Sequence, residues 1–468
     1  MKSHQNYIKG QWVSAQSGLL MDVINPASEK VIAQVAKSHH NDVDAAVEAA
    51  QKAFPAWKAL AVEERIEYLE RIYQGIEARK EELAQVIAAE LGAPISFSRS
   101  GQVGLALREL KASLEEVADF EFEEMADQAK IVKEPYGVVA CITPWNYPLN
   151  QIQRKITPAL LTGNTVVVKP ASNTPLTALI YAEIIDQAGL PAGVFNLVTG
   201  SGSEVGDYLA DHPDVDLISF TGSTEVGKNL YSKAAPQVKQ LVLELGGKSA
   251  MVYLKGGDLT FAVKKAMDTV IYNQGQTCSA MTRLLVPEEC LEETKEAILN
   301  YYQEKVVVGD PLAEDTTLGP LVSADQLKRV QDYIELGQVE GAEILIGGHP
   351  IDRPGYYFEP TVFVAVDNAM RIAQEEIFGP VLCVLTYQDQ AQAIAIANDS
   401  IYGLSGGVVG PADQALEVAY QLQTGNIFVN DGPRSPKAPF GGYKQSGLGR
   451  ENGKYGLEDY LQLKAIFL

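Results

Sequence analysis

The hydrophobic pattern changes at about residue 131 and separates two kinds of element. Before it, apolar residues recur every three or four positions among Glu, Lys and Arg, which predicts helices over 43–60, 62–91 and 101–125. After it, helical stretches such as 176–188 alternate with short β-branched runs, which predict strands at 138–142, 165–168, 194–198 and 216–220. This alternation is typical of βαβ units and of a parallel sheet covered on both faces.

A second α/β region follows over 247–430. Its pattern predicts two further strands and two further helices, at 283–286, 381–386, 291–304 and 325–337. No internal repeat or long linker interrupts the chain. The segment 119–136 and the tail from residue 456 are strand-rich, and we expect them to pair with another subunit.

The composition is that of an acidic globular chain with room for two or three domains. Its 468 residues carry 38 Lys and Arg against 60 Asp and Glu, a formal net charge of −22, and 46% are hydrophobic. An acidic surface repels phosphate backbones and anionic lipids, so nucleic-acid and membrane-surface binding are not expected. No apolar run reaches the roughly 18–20 residues that cross a bilayer, and the first residues lack a secretory signal. We therefore expect a cytoplasmic protein.

Histidine and cysteine are too sparse for several familiar kinds of site. The five histidines are scattered, and the four cysteines show no CxxC spacing. This pattern does not support a disulfide framework, a thiolate zinc site or a Ser-His-Asp triad. We predict no metal site.

Three glycine-containing segments resemble phosphate-binding loops. They cover 200–206, 220–227 and 247–249, and each departs from the standard spacing or is too short to be specific. The segment 220–227 crosses a predicted strand-to-helix junction, where free amides suit a pyrophosphate. Taken alone, each segment is better explained as an ordinary turn.

Cys278 is the strongest chemical candidate, since it follows the polar turn Asn-Gln-Gly-Gln-Thr at 273–277. Cys141 and Cys383 lie within apolar strands, where a thiol is usually inert packing. A nucleophilic thiol needs a base, and no histidine is near in sequence. Glu244 is the candidate base, because flanking leucines would desolvate it and raise its pKa. The alternative is a glutamate on the solvent face of a strand.

Seven short motifs, in order along nearly the whole chain, resemble the aldehyde dehydrogenase superfamily. These NAD(P)-dependent enzymes oxidise aldehydes to carboxylates. The motifs are Pro-Trp-Asn-Tyr-Pro at 144–148, Lys-Pro at 169–170, Phe-Thr-Gly-Ser at 220–223, Glu-Leu-Gly-Gly-Lys at 244–248, Gly-Gln-Thr-Cys at 275–278, Glu-Glu-Ile-Phe-Gly-Pro at 375–380, and Pro-Phe-Gly-Gly at 439–442.

The resemblance implies a role for each matching residue. Cys278 matches the nucleophile, Asn146 with the Cys278 amide matches the oxyanion hole, and Glu244 matches the base that activates water. Lys169 matches the adenosine-ribose ligand and Glu376 the nicotinamide-ribose ligand, with Phe378 beside it. The remaining residues matched to the cofactor site are Thr143, Trp145, Gly222, Ser223, Gly227 and Leu245.

The resemblance also implies a domain plan and an oligomer. A Rossmann-like parallel-sheet cofactor domain would cover 1–118 and 137–246, and a second α/β domain with the nucleophile would cover 247–444. A small β flap for oligomerisation would combine 119–136 with 445–468. Members of the superfamily form dimers or tetramers, and we expect one of these.

Two departures from the family pattern bear on specificity. Ser172 stands where many NAD-preferring members carry a glutamate that repels a 2′-phosphate, so we predict that NADP+ is accepted beside NAD+. Arg154 stands where several relatives have an aromatic residue. An arginine at this position resembles the pattern of semialdehyde and lactaldehyde dehydrogenases. Arg434 and Lys437 lie near the expected tunnel mouth and could attract an anion.

The predicted substrate is a small hydroxylated or carboxylate-bearing aldehyde. Tyr272 stands where succinate-semialdehyde members use a second arginine, which argues against that exact substrate. A betaine-aldehyde-like or broad-specificity enzyme is the alternative, although Arg154 disfavours a cationic substrate. A catalytically silent binding or structural protein is a further alternative, against which intact Cys278, Glu244 and Asn146 argue.

Overall fold

The computed structural model describes residues 5–468 and contains two large sheets. The first has eight strands, of which five form a parallel core. Their spatial order is Gln11–Ser14, Gln5–Ile8, Phe195–Leu197, Thr165–Lys169, Val138–Ile142, Leu217–Thr221, Gln240–Glu244 and Gly447–Leu448. The core strands are almost entirely buried, as expected for a sheet covered by helices on both faces.

The second sheet has seven strands and is parallel except at one edge. Their spatial order is Glu343–Ile346, Thr361–Val364, Val381–Tyr387, Arg283–Pro287, Ala250–Tyr253, Ser405–Val409 and Asn426–Val429. Two further pairs of strands stand apart from both sheets: Leu20–Asn25 with Lys30–Ala36, and Tyr402–Gly403 with Tyr443–Lys444.

Helices cover both large sheets. In chain order they are His40–Lys58, Val62–Ala78, Lys80–Leu91, Ile95–Phe97, Gly104–Ala118, Pro148–Leu161, Pro175–Ala188, Asp207–Asp211, Thr224–Ala234, Leu259–Ile271, Leu291–Lys305, Ala324–Val339, Arg371–Gln374, Gln390–Asn398, Ala412–Gln421 and Gly453–Glu458. Among residues 5–468, none is long and apolar enough to cross a bilayer.

The predicted α/β class, with its Rossmann-like parallel sheet, is confirmed.

A small antiparallel sheet joins Leu461–Phe467 to Ala129–Pro135, and Ala129–Pro135 to Glu123–Ala126. The two segments expected to pair with another subunit therefore pair with each other within one chain. Strand Gly447–Leu448, grouped with the flap in the sequence analysis, lies instead at the edge of the first large sheet.

The predicted elements differ from the structure mainly in the first third. The run 62–91 is two helices, because the backbone of Arg79 leaves helical geometry at φ −108° and ψ 16°. The run 101–125 ends as a helix at Ala118, and its last residues enter the small sheet. The hydrophobic pattern gave no prediction for the four strands between Gln5 and Ala36, most of whose positions are only partly buried.

The first sheet gathers the candidate residues at one edge. Lys169, Ile142, Thr221 and Glu244 end four neighbouring parallel strands, so their side chains and the loops after them meet at the carboxyl end of the sheet. Ligands of open α/β sheets bind at this edge.

Candidate active site

The loop that carries Cys278 begins in a strained turn. Asn273, Gln274 and Gly275 all have left-handed backbones, with φ of 54°, 57° and 69°. Only glycine fits the third position, because a Cβ on Gly275 would lie 2.1 Å from the carbonyl oxygen of Gly379. Strain of this kind persists only where surrounding contacts hold it.

Those contacts come from a buried amide network around Asn146. The side-chain amides of Gln102 and Asn273 each donate to the Asn146 carbonyl oxygen at 2.9 Å. Asn146 Nδ2 donates in turn to the carbonyl of Gln276 at 3.0 Å. An amide nitrogen has two hydrogens, so one N–H of Asn146 stays available toward Cys278. Gln102 carries no sequence signal that could have revealed its role.

The surroundings of Cys278 favour the protonated thiol. Burial and the charges of Glu376 and Glu244 raise its pKa to about 12, against the opposing charges of Arg154 and Arg434. The reactive form of cysteine is the thiolate, so this thiol needs a group that removes its proton.

Glu244 has the properties of such a group. Its side chain is 1% exposed, and neither carboxylate oxygen has a hydrogen-bond partner among residues 5–468. Burial raises the pKa of Glu244 well above its usual value, Glu451 adds to the rise, and Lys155 and Arg154 oppose it. A Cβ on Gly441 would lie 2.6 Å from Oε1, so glycine keeps one side of the carboxylate free.

Two connected cavities run from Cys278 across the end of the first sheet, with volumes of about 240 and 610 Å³. Both are lined by Pro144, Trp145 and residues 221–223. The smaller adds Asn146, Gly246, Cys278, Gln326, Arg329, Glu376 and Phe378, and the larger adds Thr143, Lys169, Ser172 and residues of helix Thr224–Ala234, among others. Gly227, in the first turn of that helix, lies close to Leu245, since a Cβ there would lie 2.5 Å from a Leu245 methyl group.

The larger cavity suits a ligand with hydroxyl and phosphate groups. Burial lowers the pKa of Lys169 to about 8, and within 5–468 it forms no ion pair. The buried hydroxyls of Thr143 and Thr221 also lack partners in that part of the chain. Ser223 caps the following helix by accepting the N–H of Val226 at 3.3 Å, which leaves the helix N-terminus open to an anion.

The smaller cavity is closed by the loop that holds Glu376 and Phe378. The Gly247 N–H donates to Glu376 at 2.9 Å, and burial raises the pKa of Glu376 to about 7. Gln326 Nε2 donates to the Phe378 carbonyl at 2.8 Å, and Arg329 binds the carbonyls of the same loop. Phe378 has a left-handed backbone and meets the Trp145 ring edge-on at 5.2 Å. The sequence reasoning missed both Gln326 and Arg329.

Arg154 differs from its expected role, because it is not a free cation facing the tunnel. The guanidinium is buried, pairs with Glu109 at 2.6 Å and lies 3.5 Å from Glu451. Arg434 is about one-third exposed, lies 4.6 Å from the Phe440 ring centre and comes within 3.9 Å of Glu109. Lys437 is occupied at the surface by Glu115, at 3.0 Å.

Three aromatic rings pack together next to the loop that carries Cys278. Tyr147 forms a hydrogen bond with Thr277 at 3.0 Å, and its ring meets Phe97 at 6.3 Å. Phe97 stacks on the half-exposed Tyr272 at 5.6 Å and 10°.

Comparison with known proteins agrees with this geometry. The model of the Aldehyde dehydrogenase family matches residues 12–466. A 3-succinoylsemialdehyde-pyridine dehydrogenase of a Pseudomonas species is 46% identical over 98% of this chain and 97% of its own.

Among solved structures, an aldehyde dehydrogenase C variant from Pseudomonas syringae, in complex with NAD+ and octanal, is 45% identical. Its TM-score is 0.98, with 100% of this chain and 97% of that chain covered. A betaine aldehyde dehydrogenase variant of Staphylococcus aureus, in complex with NAD+, is 39% identical at a TM-score of 0.96, covering 99% and 95%.

Proposed function

The chain belongs to the aldehyde dehydrogenase family, and from that premise we propose that it oxidises an aldehyde to a carboxylate with NAD+ or NADP+. One observation carries the proposal: the smaller cavity brings the Cys278 thiol, the Asn146 amide and Glu376 to one wall, close to the charge of Glu244. This set supplies a nucleophile, an oxyanion donor and a base, which acyl chemistry requires.

The first step is attack of Cys278 on the aldehyde carbon. Sγ forms a bond to that carbon, and the carbonyl oxygen gains the negative charge that the free N–H of Asn146 and the Cys278 amide stabilise. The thiol proton leaves to a nearby base, for which Glu244 has the raised pKa and the unoccupied oxygens. The product on the enzyme is a thiohemiacetal.

A nicotinamide dinucleotide supplies the two-electron oxidant when bound, which leaves a thioester on Cys278. The residues proposed to hold it are those with unfilled donors and close glycine backbones, namely Thr143, Trp145, Lys169, Ser172, Gly222, Ser223, Gly227, Leu245, Glu376 and Phe378. Glu244 passes the thiol proton to solvent and, as a carboxylate again, takes a proton from the water that attacks the thioester carbon. The C–S bond then breaks, the carboxylate product leaves, and the Cys278 thiolate takes up a proton.

The substrate is proposed to be a small aldehyde with a hydroxyl or carboxylate group. Arg434 is the cation available to that group, since Glu109 holds Arg154 and Glu115 holds Lys437. Arg154 and Arg434, which both lie against the Phe440 ring, disfavour a cationic betaine-like aldehyde. A broader specificity draws support from the rings of Phe97, Tyr147 and Tyr272, which suit an apolar body.

An aldehyde panel assayed by NAD(P)H absorbance tests the function. The panel comprises lactaldehyde, succinate semialdehyde, propanal, octanal and betaine aldehyde, each with NAD+ and with NADP+. We expect turnover with both cofactors and the weakest kcat/KM for betaine aldehyde. Absence of turnover with every pair contradicts the enzyme class, and a hundredfold disadvantage of NADP+ contradicts the proposed cofactor range.

Lys169, the proposed ligand of the adenosine ribose, gives a pH-dependent prediction for NADP+, because the 2′-phosphate of NADP+ is attached to that ribose. Its pKa of about 8 means that its charge is present at pH 7 and lost by pH 9. The Kd for NADP+ should therefore rise about tenfold between pH 7 and pH 9. Fluorescence titration measures it, with Lys169→Met as the control that should bind weakly at both pH values. An equal slope in this variant would exclude Lys169 as the cause.

We also propose a homodimer or homotetramer built on the small sheet. Strand Leu461–Phe467 leaves Leu463 73% and Phe467 85% exposed, and Met125 on the opposite edge strand is 60% exposed. Apolar side chains along open strand edges favour pairing with another chain. Light scattering in solution gives the subunit number.

A further inference from the structure

A buried carboxylate, Glu109, pairs with Arg154, whose charge acts on the Cys278 thiol, and takes no part in the steps above. It projects from helix Gly104–Ala118 and is 2% exposed. The Arg154 guanidinium donates to both of its oxygens, from Nε at 2.9 Å and from Nη2 at 2.6 Å. Asn150 adds a third hydrogen bond at 3.0 Å. Bidentate pairs of this kind are among the strongest charge-assisted contacts.

The surrounding charges nearly balance. Lys155 pairs with Glu451 at 2.8 Å, and Arg434 lies 3.9 Å from Glu109. Three cations thus face two carboxylates, which leaves one net positive charge. Arg154 and Arg434 are both close enough to Cys278 for their charges to act on its thiol, so a substrate bound there senses the same balance.

The pair geometry is the one that an arginine offers to a substrate carboxylate. Two parallel N–H donors meet two carboxylate oxygens, and the set is fully desolvated. Glu109 fills this position from within the chain. In the absence of substrate, Glu109 therefore already neutralises the charge of Arg154 and accepts two of its N–H donors.

We propose that Glu109 occupies Arg154 as an internal carboxylate and thereby sets how strongly the site selects anionic aldehydes. The proposal rests on the aldehyde-oxidising function above and extends it to substrate charge. Glu109 is a positioning residue that acts through Arg154. Arg434, which is partly exposed, remains the cation that meets the polar end of the substrate.

The test compares two isosteric aldehydes, succinate semialdehyde and 4-methylpentanal, in which a carboxylate replaces an isopropyl group. The measured quantity is the ratio of their kcat/KM values. Glu109→Gln releases the charge of Arg154, so this ratio should rise about tenfold, mainly through a lower KM for the anion. Glu116→Gln removes a charge from the same helix outside this cluster and should leave the ratio unchanged.

A double variant can still contradict the proposal if the Glu109→Gln variant fails to fold. Removing one partner of a buried ion pair strongly lowers the free energy of unfolding, because the other charge is left unpaired. Replacing both partners lowers it much less. Glu109→Gln with Arg154→Gln removes the pair as a unit and leaves Arg434 intact. We expect its ratio to stay within about twofold of the wild type. If Arg154 itself bound the substrate carboxylate, the double variant would lose about tenfold in the ratio instead.

The outcomes separate this proposal from the function on which it rests. Wild-type protein that oxidises neither aldehyde contradicts the proposed function. Active wild-type protein with an unchanged ratio in folded Glu109→Gln overturns the role of Glu109 and leaves only a structural pair. A raised ratio in the single variant supports it, and a tenfold loss of the ratio in the double variant contradicts it.

Discussion

Replacing Cys278 by serine should lower kcat/KM for any oxidised aldehyde by at least about 10⁴-fold. The hydroxyl is a far weaker nucleophile, and Glu244 cannot compensate, because its pKa lies far below that of an alcohol. Binding should survive: the dinucleotide cavity is built by other residues, so its Kd should change less than about threefold. Initial rates and a cofactor titration on the same sample measure both quantities.

Cys290→Ser is the matched control for this prediction. Cys290 precedes helix Leu291–Lys305 and belongs to the core under the second sheet, remote from both cavities. Its replacement should leave kcat/KM close to the wild-type value. Substantial activity in Cys278→Ser, or an equal loss in Cys290→Ser, would remove Cys278 from the proposed mechanism.

In the Glu244→Gln variant, we expect the thioester to form and its hydrolysis to become slow. Glutamine keeps the shape of the side chain and cannot accept a proton, so hydrolysis should slow by about 10²–10⁴-fold. In this variant the thiol proton passes to water or hydroxide, which a thiol permits far more readily than the attacking water does, so one equivalent of NAD(P)H per active site still appears before a slow steady state. Stopped-flow absorbance resolves the burst, and mass spectrometry detects the acylated Cys278.

The pH profile adds an independent check on Glu244. Burial favours its protonated form, so the base form accumulates as pH rises through a pKa well above the usual carboxyl value. Wild-type kcat should therefore still increase with pH above about pH 6, where an ordinary carboxyl is already ionised, and the Glu244→Gln variant should lose this dependence. A variant that hydrolyses at the wild-type rate with the same profile would assign the base to another group.

The sequence predicted the elements around the site well because their hydrophobic pattern is strong. The core strands of the first sheet are buried along nearly their whole length, and their predicted limits agree with the structure to within one residue. Lys169 was assigned through the family resemblance and Glu244 through its flanking leucines, and both end core strands of this sheet. Cys278 stood out because it follows a polar, glycine-containing turn.

The residues that the sequence did not reveal act through contacts between distant segments. Gln102 reaches Asn146 across 44 positions, and Glu109 reaches Arg154 across 45. No local pattern distinguishes either side chain from a solvated one on its helix. The prediction that Arg154 is a free cation differs from the structure for the same reason, because its partner Glu109 lies on another helix.

Strand Gly447–Leu448 pairs with strand Gln240–Glu244, although the ribosome makes it much later. The site around Glu244 is therefore completed only near the end of synthesis. Ser446 bonds the Gly246 carbonyl at 2.6 Å, with 200 positions between them, and Gly441 covers Glu244. At about 5–20 residues per second, the ribosome needs roughly 10–40 s to make that stretch. Glu244 and Cys278 thus both emerge well before the cover over the base, so the nascent thiol is made long before its general base is enclosed and becomes competent.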